Sequence, residues 1–295
     1  MATESSPYLG LALSGGTLKA AAHVGVLNAL EKIGVQPDAI AGTSAGSLVS
    51  ALYAHGYRSK EFACLLESFP GARLIDYGFP MWSSVWSWTV HHVRPTKSKK
   101  IPYVPSGLLR GRKLMKYIER LLAPRRSMIP LYIVATDLIS GLPVVFTTED
   151  HPISNTLCFT IKDIPRAITG SCALPGIFTP VVFNDLLLVD GAMRDYVPVK
   201  VLHEVGCKKI IAVNLYRLTK KYEPTTLVDV LSRSFDILLR ESIDNDITPG
   251  STTYVLEPDL SEIKWRRFSQ MNECVEIGRK LVEQKKDSIL AFARQ

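Results

Sequence analysis

The sequence predicts an α/β fold in which a mostly parallel central sheet is covered by helices. Three observations predict it. Short apolar runs alternate with segments of helical periodicity from one end of the chain to the other. The alternation opens as strand, helix, strand, helix, as parallel strands joined by crossover helices do. Glycine-rich turns, Gly15-Gly16 and Gly42-Thr43-Ser44-Ala45-Gly46, stand where the first two strands give way to helices. The length exceeds the usual ~100–200 residues per domain, yet α/β architectures of this size often form one unit. A single domain over residues 1–295 is therefore expected.

Each element has its own warrant. Residues 8–13 read as the first strand, and residues 19–33 as a helix with Val24, Leu27, Leu30 and Ile33 on nearly one face and Gly34 as its cap. Residues 39–42 make a second strand and residues 45–55 a second helix, with Leu48, Val49 and Leu52 apolar and Gly56 as its stop. Residues 68–106 break the rhythm with five prolines and three of the four tryptophans, which suits a lid or insertion rather than a second domain. Residues 111–122 are helical, with Leu114, Tyr117, Ile118 and Leu121 facing inward. Residues 131–138 and 142–147 are strands joined through Ile139-Ser140-Gly141, an antiparallel pair by the shortness of the turn.

Pro165 opens a helix over 164–171. Strands 177–183 and 186–189 then flank the Asn184-Asp185 turn and lead to Asp190-Gly191-Ala192. A helix over 199–205, a strand over 209–215, an amphipathic helix over 226–244, a strand over 252–256 and a long C-terminal helix complete the chain. Residues 225–295 thus read as a largely helical extension.

Composition narrows the function classes. With 46% hydrophobic and 21% charged residues, 19 Gly and 18 Pro spread along the chain and no internal repeat, usage is that of an ordinary globular protein. The N-terminal residues lack a basic signal region, and no apolar run approaches the ~18 residues of a membrane span. A soluble protein without a cleaved signal is expected. Cys64, Cys158, Cys172, Cys207 and Cys274 form an odd set without CxxC or metal-ligand spacing, which argues against a disulfide framework or zinc site and fits a reducing cytoplasm. Lys and Arg exceed Asp and Glu by seven, with a loose cluster of Arg94, Lys97, Lys99 and Lys100. That cluster reads as solvated surface or as attraction to an anionic lipid face at the inner side of a membrane. No nucleic-acid-binding pattern is present to direct the charge elsewhere.

Gly42-Thr43-Ser44-Ala45-Gly46 is a Gly-x-Ser-x-Gly turn between strand and helix, the context of a nucleophile elbow. Ser44 reads as a nucleophile whose oxyanion the helix N-terminus would favour; the competing reading is a tight turn kept for packing. Gly15-Gly16-Thr17 and, just beyond, Lys19 follow the first strand at the same sheet edge, and the N–H groups around Gly15, Gly16 and Thr17 could hold an oxyanion. A phosphate loop is the alternative there, but neither GxxxxGK[ST] nor GxGxxG is present, so no nucleotide or other cofactor is expected. None of His23, His55, His91, His92, His151 and His203 stands in a context that selects it as a catalytic base. Asp190 ends an apolar strand before the small Gly191 and Ala192, which fits either a carboxylate in a close-packed site or a turn residue.

Leu13-Ser14-Gly15-Gly16-Thr17-Leu18-Lys19-Ala20, Gly42-Thr43-Ser44-Ala45-Gly46 and Asp190-Gly191-Ala192, in this order, resemble the three motifs of the patatin-like phospholipase family. The likeness extends through residues 21–27, 135–138 and 173–178, and so covers about residues 8–215. It implies a three-layer α/β/α domain, Ser44 as nucleophile, Asp190 as its direct partner in a Ser-Asp dyad without histidine, and an oxyanion hole near Gly15, Gly16 and Thr17. Lys19, Gly42, Gly46, Gly191 and Ala192 keep the motifs' supporting positions. Thr17 and Ala20 stand where the family usually has glycine, so Thr17 is strained if the loop needs a positive φ there.

The implied reaction is hydrolysis of a lipid ester, of phospholipid or lysophospholipid type, through an acyl-enzyme. A soluble carboxylesterase and a catalytically weak lipid-binding or interaction protein of the same fold are the alternatives. Trp82, Trp86 and Trp88 sit in residues 81–88; if these are helical, Trp82, Val85 and Trp86 share a face. They form either a local core beneath the insertion or a lipid-contacting lid, the latter in keeping with the preference of tryptophan for interfaces.

Overall fold

The computed structural model describes residues 8–79, 82–86, 89, 104, 106–123, 125–149, 151–218, 223, 225–247, 250, 252–263 and 268–294. Its strands are β1 (Leu9–Leu13), β2 (Ala39–Thr43), β3 (Leu131–Asp137), β4 (Pro143–Thr147), β5 (Leu157–Thr160), β6 (Val181–Phe183), β7 (Leu186–Asp190), β8 (Lys209–Val213) and β9 (Thr253–Leu256). Its longer helices are α1 (Ala21–Lys32), α2 (Ala45–Ala54), α3 (Ser59–Glu67), α4 (Arg112–Leu122), α5 (Ile164–Ser171), α6 (Val199–Glu204), α7 (Leu227–Asp246), α8 (Met271–Gln284) and α9 (Lys286–Arg294).

All these strands join one sheet, whose main path runs β5-β4-β3-β2-β1-β8-β9. The pairs β1–β2, β1–β8, β2–β3, β8–β9 and β4–β5 are parallel, whereas β3–β4, β3–β7 and β6–β7 are antiparallel. The mostly parallel sheet, the antiparallel pair around residues 139–141 and the hairpin around Asn184-Asp185 are as the sequence predicts.

The period of two along each strand divides the apolar residues between two cores. Leu9, Leu11, Leu13, Ile40, Leu131 and Ile133 face one side, where α1, α2, α5 and α8 cover them. Ala12, Ala39, Ala41, Val134, Ile210 and Ala212 face the other, beneath α6 and α7. The result is a three-layer α/β/α arrangement.

One feature of the sheet positions the candidate site. β3 is seven residues long and β2 only five, so β2 covers the first part of one β3 edge and stops with Thr43 opposite Val134. β7 enters the remainder of that edge from the opposite direction and stops with Asp190 opposite Ala135. Two strand ends, 146 residues apart in sequence at Ser44 and Asp190, thereby arrive head-on beside consecutive residues of β3.

Several boundaries differ from expectation. Gly16 and Thr17 have φ 155 and 51, which helical backbone does not allow, so the chain passes through a 3-10 turn, Thr17–Ala20, before α1 begins at Ala21. α3 and β5 are elements that the sequence pattern does not predict. The predicted strand over 177–183 is ordered as a strand only from Val181, because Ile177 and Thr179 bond instead to Leu109. The C-terminal helix divides at Lys285 into α8 and α9. Among the described residues, no helix is long and apolar enough to cross a membrane.

Candidate active site

Between the end of β2 at Thr43 and the start of α2 at Ala45, Ser44 alone makes the turn. It does so at φ 53 and ψ −129, outside the regions open to ordinary side chains, at a cost of about 1–3 kcal/mol. Local hydrogen bonds hold it there. The Ser44 N–H donates to Ser171 Oγ at 2.8 Å, Ser171 Oγ donates to the Val134 carbonyl at 2.5 Å, and Ser47 Oγ donates to the Ser44 carbonyl at 2.6 Å. A Cβ on Gly46 would stand 2.3 Å from the Ser14 carbonyl oxygen, so glycine is what lets α2 approach the end of β1. Gly42 lies within β2 beneath Ser50 and Gly46.

Asp190 reaches the same point from β7. Its Oδ2 accepts the Ser44 Oγ–H at 2.7 Å and its Oδ1 accepts the Ala192 N–H at 2.9 Å. The Asp190 N–H donates to the Ala173 carbonyl at 3.0 Å, and Gly191 sits against Val134 and Thr43. Ser44 is 9% and Asp190 3% exposed. Burial pushes the Asp190 carboxyl up to about 6, against the opposing effect of the Ala192 and Ser44 hydrogen bonds. At neutral pH it is therefore ionised yet far more basic than a solvated carboxylate, and it already holds the Ser44 proton in a hydrogen bond. Beside the pair, burial and then the Asp190 charge push the Cys172 thiol up, so it stays protonated.

Among the described residues, no histidine is hydrogen-bonded to this pair. His23 is fully buried, its Nε2 hydrogen-bonded to the Ser14 carbonyl at 2.9 Å, and burial lowers it to about 4. His55 bonds the Ala51 carbonyl and His203 the Thr253 hydroxyl. His91 and His92 lie outside the described residues.

The glycine-rich loop follows β1 at the same edge. A Cβ on Gly15 would be 3.3 Å from Ser44 Cβ, so the loop passes directly beside the serine. The Gly15 N–H is taken by the Tyr196 carbonyl at 3.3 Å. The N–H groups of Gly16 and Thr17 have no acceptor among the described residues. Thr17 does adopt the positive φ that glycine would take without strain, and its Oγ1 donates to the Gly16 carbonyl at 2.7 Å. Burial lowers the Lys19 ammonium, more than the charges of Cys274, Asp236 and Asp259 raise it.

The tryptophan segment is helical over 82–86, with Trp82, Val85 and Trp86 79%, 62% and 62% exposed and Ser83 buried. For these residues the local-core reading is corrected: the shared face points outward. Tyr77, Phe79 and Leu108 extend the exposed apolar surface. Trp88 and the cluster from Arg94 to Lys100 lie outside the described residues. The segment is tied toward the site by backbone pairing of Tyr77 with Leu109 and of Leu109 with Phe178, in the stretch that follows Cys172 and Ala173.

Sequence reasoning missed Ser171, Cys172 and Tyr196. Tyr196, six residues beyond Asp190, carried the strongest signal of the three, being tied to that motif by chain length alone. Ser171 carried none, since Ser44, whose N–H it accepts, lies 127 residues away, and Cys172 stands in no motif that would single it out as a neighbour of Asp190.

The comparisons with known proteins agree in kind. A family model described as patatin-like phospholipase matches residues 11–203. An uncharacterized NTE family protein of Mycobacterium tuberculosis is 29% identical over 215 residues, 72% of this chain and 50% of that protein. Lysophospholipase NTE1 of Candida albicans is 25% identical over 307 residues, 95% of this chain but 20% of that protein. The crystal structure of VipD from Legionella pneumophila superposes with a TM-score of 0.47 at 14% identity, covering 96% of this chain and 67% of that one. The chain spans about half the length of the first curated relatives it matches.

Proposed function

The chain belongs to the patatin-like phospholipase family, and from that premise we propose that it is a lipid acyl hydrolase using Ser44 and Asp190 as a two-residue catalytic unit. The observation that carries the reading is the 2.7 Å hydrogen bond from Ser44 Oγ to a buried, basic Asp190 carboxylate.

In the proposed reaction, Ser44 Oγ attacks the ester carbonyl carbon while its proton passes to Asp190 Oδ2. The carbonyl electrons move to the oxygen, and the N–H groups of Gly16 and Thr17 stabilise the resulting oxyanion. Collapse of the tetrahedral intermediate breaks the ester C–O bond, and the departing alcohol takes the proton from Asp190. Water then gives a proton to Asp190 and attacks the acyl-serine, releasing the fatty acid and restoring the Ser44 hydroxyl. The pair needs no third residue because Ser171, Ser47 and the Ala192 N–H hold serine and carboxylate in register.

The exposed Trp82, Val85 and Trp86, with Arg110, Arg112 and Lys113 exposed on the adjoining segment, favour phospholipid in an anionic surface over a soluble ester. We take residues 68–106 as the lid of this site, with the protein acting peripherally at the inner face of a membrane. A fluorophosphonate probe tests the chemistry. Peptide mass spectrometry is expected to find the adduct on Ser44, with none on Ser44→Ala and little on Asp190→Asn; stable labelling elsewhere with Ser44 unmodified would refute the assignment.

A further inference from the structure

We infer that Tyr196 is a positioning residue for the oxyanion loop, setting the plane of the Gly15–Gly16 peptide and so the direction of the Gly16 N–H. The inference rests on the hydrolase reading above.

Tyr196 is 5% exposed and holds Gly15 at both of its main-chain polar groups. Its hydroxyl donates to the Gly15 carbonyl at 2.9 Å, and its own carbonyl accepts the Gly15 N–H at 3.3 Å. The ring fills the space a side chain on Gly15 would occupy: a Cβ there would be 2.8 Å from Tyr196 Cε2. Gly15 is thus enclosed between the Tyr196 ring on one side and Ser44 on the other.

The consequence follows from peptide geometry. A trans peptide is planar, with its C=O and N–H pointing in opposite directions. Fixing the Gly15 carbonyl therefore fixes where the Gly16 N–H points. Two consecutive glycines supply little torsional restraint of their own, so the restraint must come from outside. It comes from two hydroxyls on one carbonyl oxygen, Tyr196 OH and Ser14 Oγ, each at 2.9 Å. Ser14 is itself held by the Leu215 N–H, which donates to its Oγ, and by His23 at its carbonyl.

Tyr196 also links the loop to the rest of the site. The segment from Asp190 folds back through the N–H groups of Arg194 and Asp195 onto the Gly191 carbonyl, and the Asp195 carbonyl accepts the Thr43 hydroxyl at 2.8 Å. One stretch of seven residues, Asp190 to Tyr196, therefore meets Ser44 at Asp190, Thr43 at Asp195 and Gly15 at Tyr196. Edge-to-face packing on Tyr216, with ring centroids 5.9 Å apart, keeps the Tyr196 ring in place.

Tyr196→Phe removes the hydroxyl and keeps the ring. The expected result is a fall in kcat of about 10- to 100-fold, with KM within about twofold and an equal fall in the rate of fluorophosphonate labelling, because an oxyanion donor acts on the transition state. Purely structural support would lower the melting temperature and the fraction of titratable sites while leaving kcat per titrated site unchanged. That outcome, or a change confined to KM, overturns the inference. Should Tyr196→Phe not fold, Ser14→Ala removes the other hydroxyl from the same carbonyl and is read by the same kcat-against-KM split. Ser44→Ala run alongside separates the two levels: if it hydrolyses ester like wild type, the hydrolase reading fails and this inference with it. If it is inactive while Tyr196→Phe keeps wild-type kcat, only this inference falls.

Discussion

In the proposed reaction, Asp190 is the residue at which stability and chemistry oppose one another. Its carboxyl titrates near 6 in the folded chain against 3.8 for a solvated aspartate. Because the folded value is the higher one, the native state binds the proton more tightly than the unfolded chain does. The group's contribution to stability is full below about pH 4, falls as pH rises to about 6, and is lower by about 3 kcal/mol above that. The same shift makes the carboxylate a stronger base toward the Ser44 hydroxyl. Two outcomes follow for pH. Ester hydrolysis is expected to fall about tenfold per unit below pH 6 as Asp190 takes up its proton. Asp190→Asn is expected to abolish hydrolysis yet to be more resistant to urea than wild type at pH 8, by up to about 3 kcal/mol, with the gap closing toward pH 4. A gap of equal size at both pH values would place the effect outside the titration of this carboxyl.

At the scale of elements, the site is a product of unequal strand lengths. Had β2 run the full length of β3, it would have occupied the edge on which β7 lands, and Asp190 would have no position beside Ala135. The exposed aromatic segment is a second feature of this scale, since the 82–86 helix, residues 106–110 and residues 177–179 are joined by backbone and hydroxyl bonds. Replacing Trp82 and Trp86 together by alanine is expected to weaken sedimentation with anionic vesicles by about tenfold or more, while leaving hydrolysis of a short-chain soluble ester near wild type. Unchanged vesicle binding would contradict the proposed contact of Trp82 and Trp86 with the lipid surface.

Much of this level was legible in the sequence. The β-α-β-α opening, the hairpin around Asn184-Asp185 and the three motifs are local patterns, and local patterns are what periodicity and turn residues report. α3 escaped notice because it buries only Phe62 fully, and β5 because its four residues carry too short a pattern. The contacts that hold the serine and its loop, from Ser171 and Tyr196, join residues 127 and 181 positions apart. No window along the chain contains both partners.

At the scale of the whole molecule, the formal charge of +7, the exposed aromatic side chains and the sheet edge bearing Ser44 are in keeping with the proposed hydrolysis of lipid esters at an anionic surface. The measurement that tests this most directly is mass-spectrometric analysis of the products formed from mixed phospholipid vesicles, comparing wild type with Ser44→Ala. The expected result is free fatty acid and lysophospholipid in equal amounts from wild type, or free fatty acid with the glycerophospho-alcohol where lysophospholipid is supplied, and neither from Ser44→Ala. Release of fatty acid by Ser44→Ala at the wild-type rate would contradict the account.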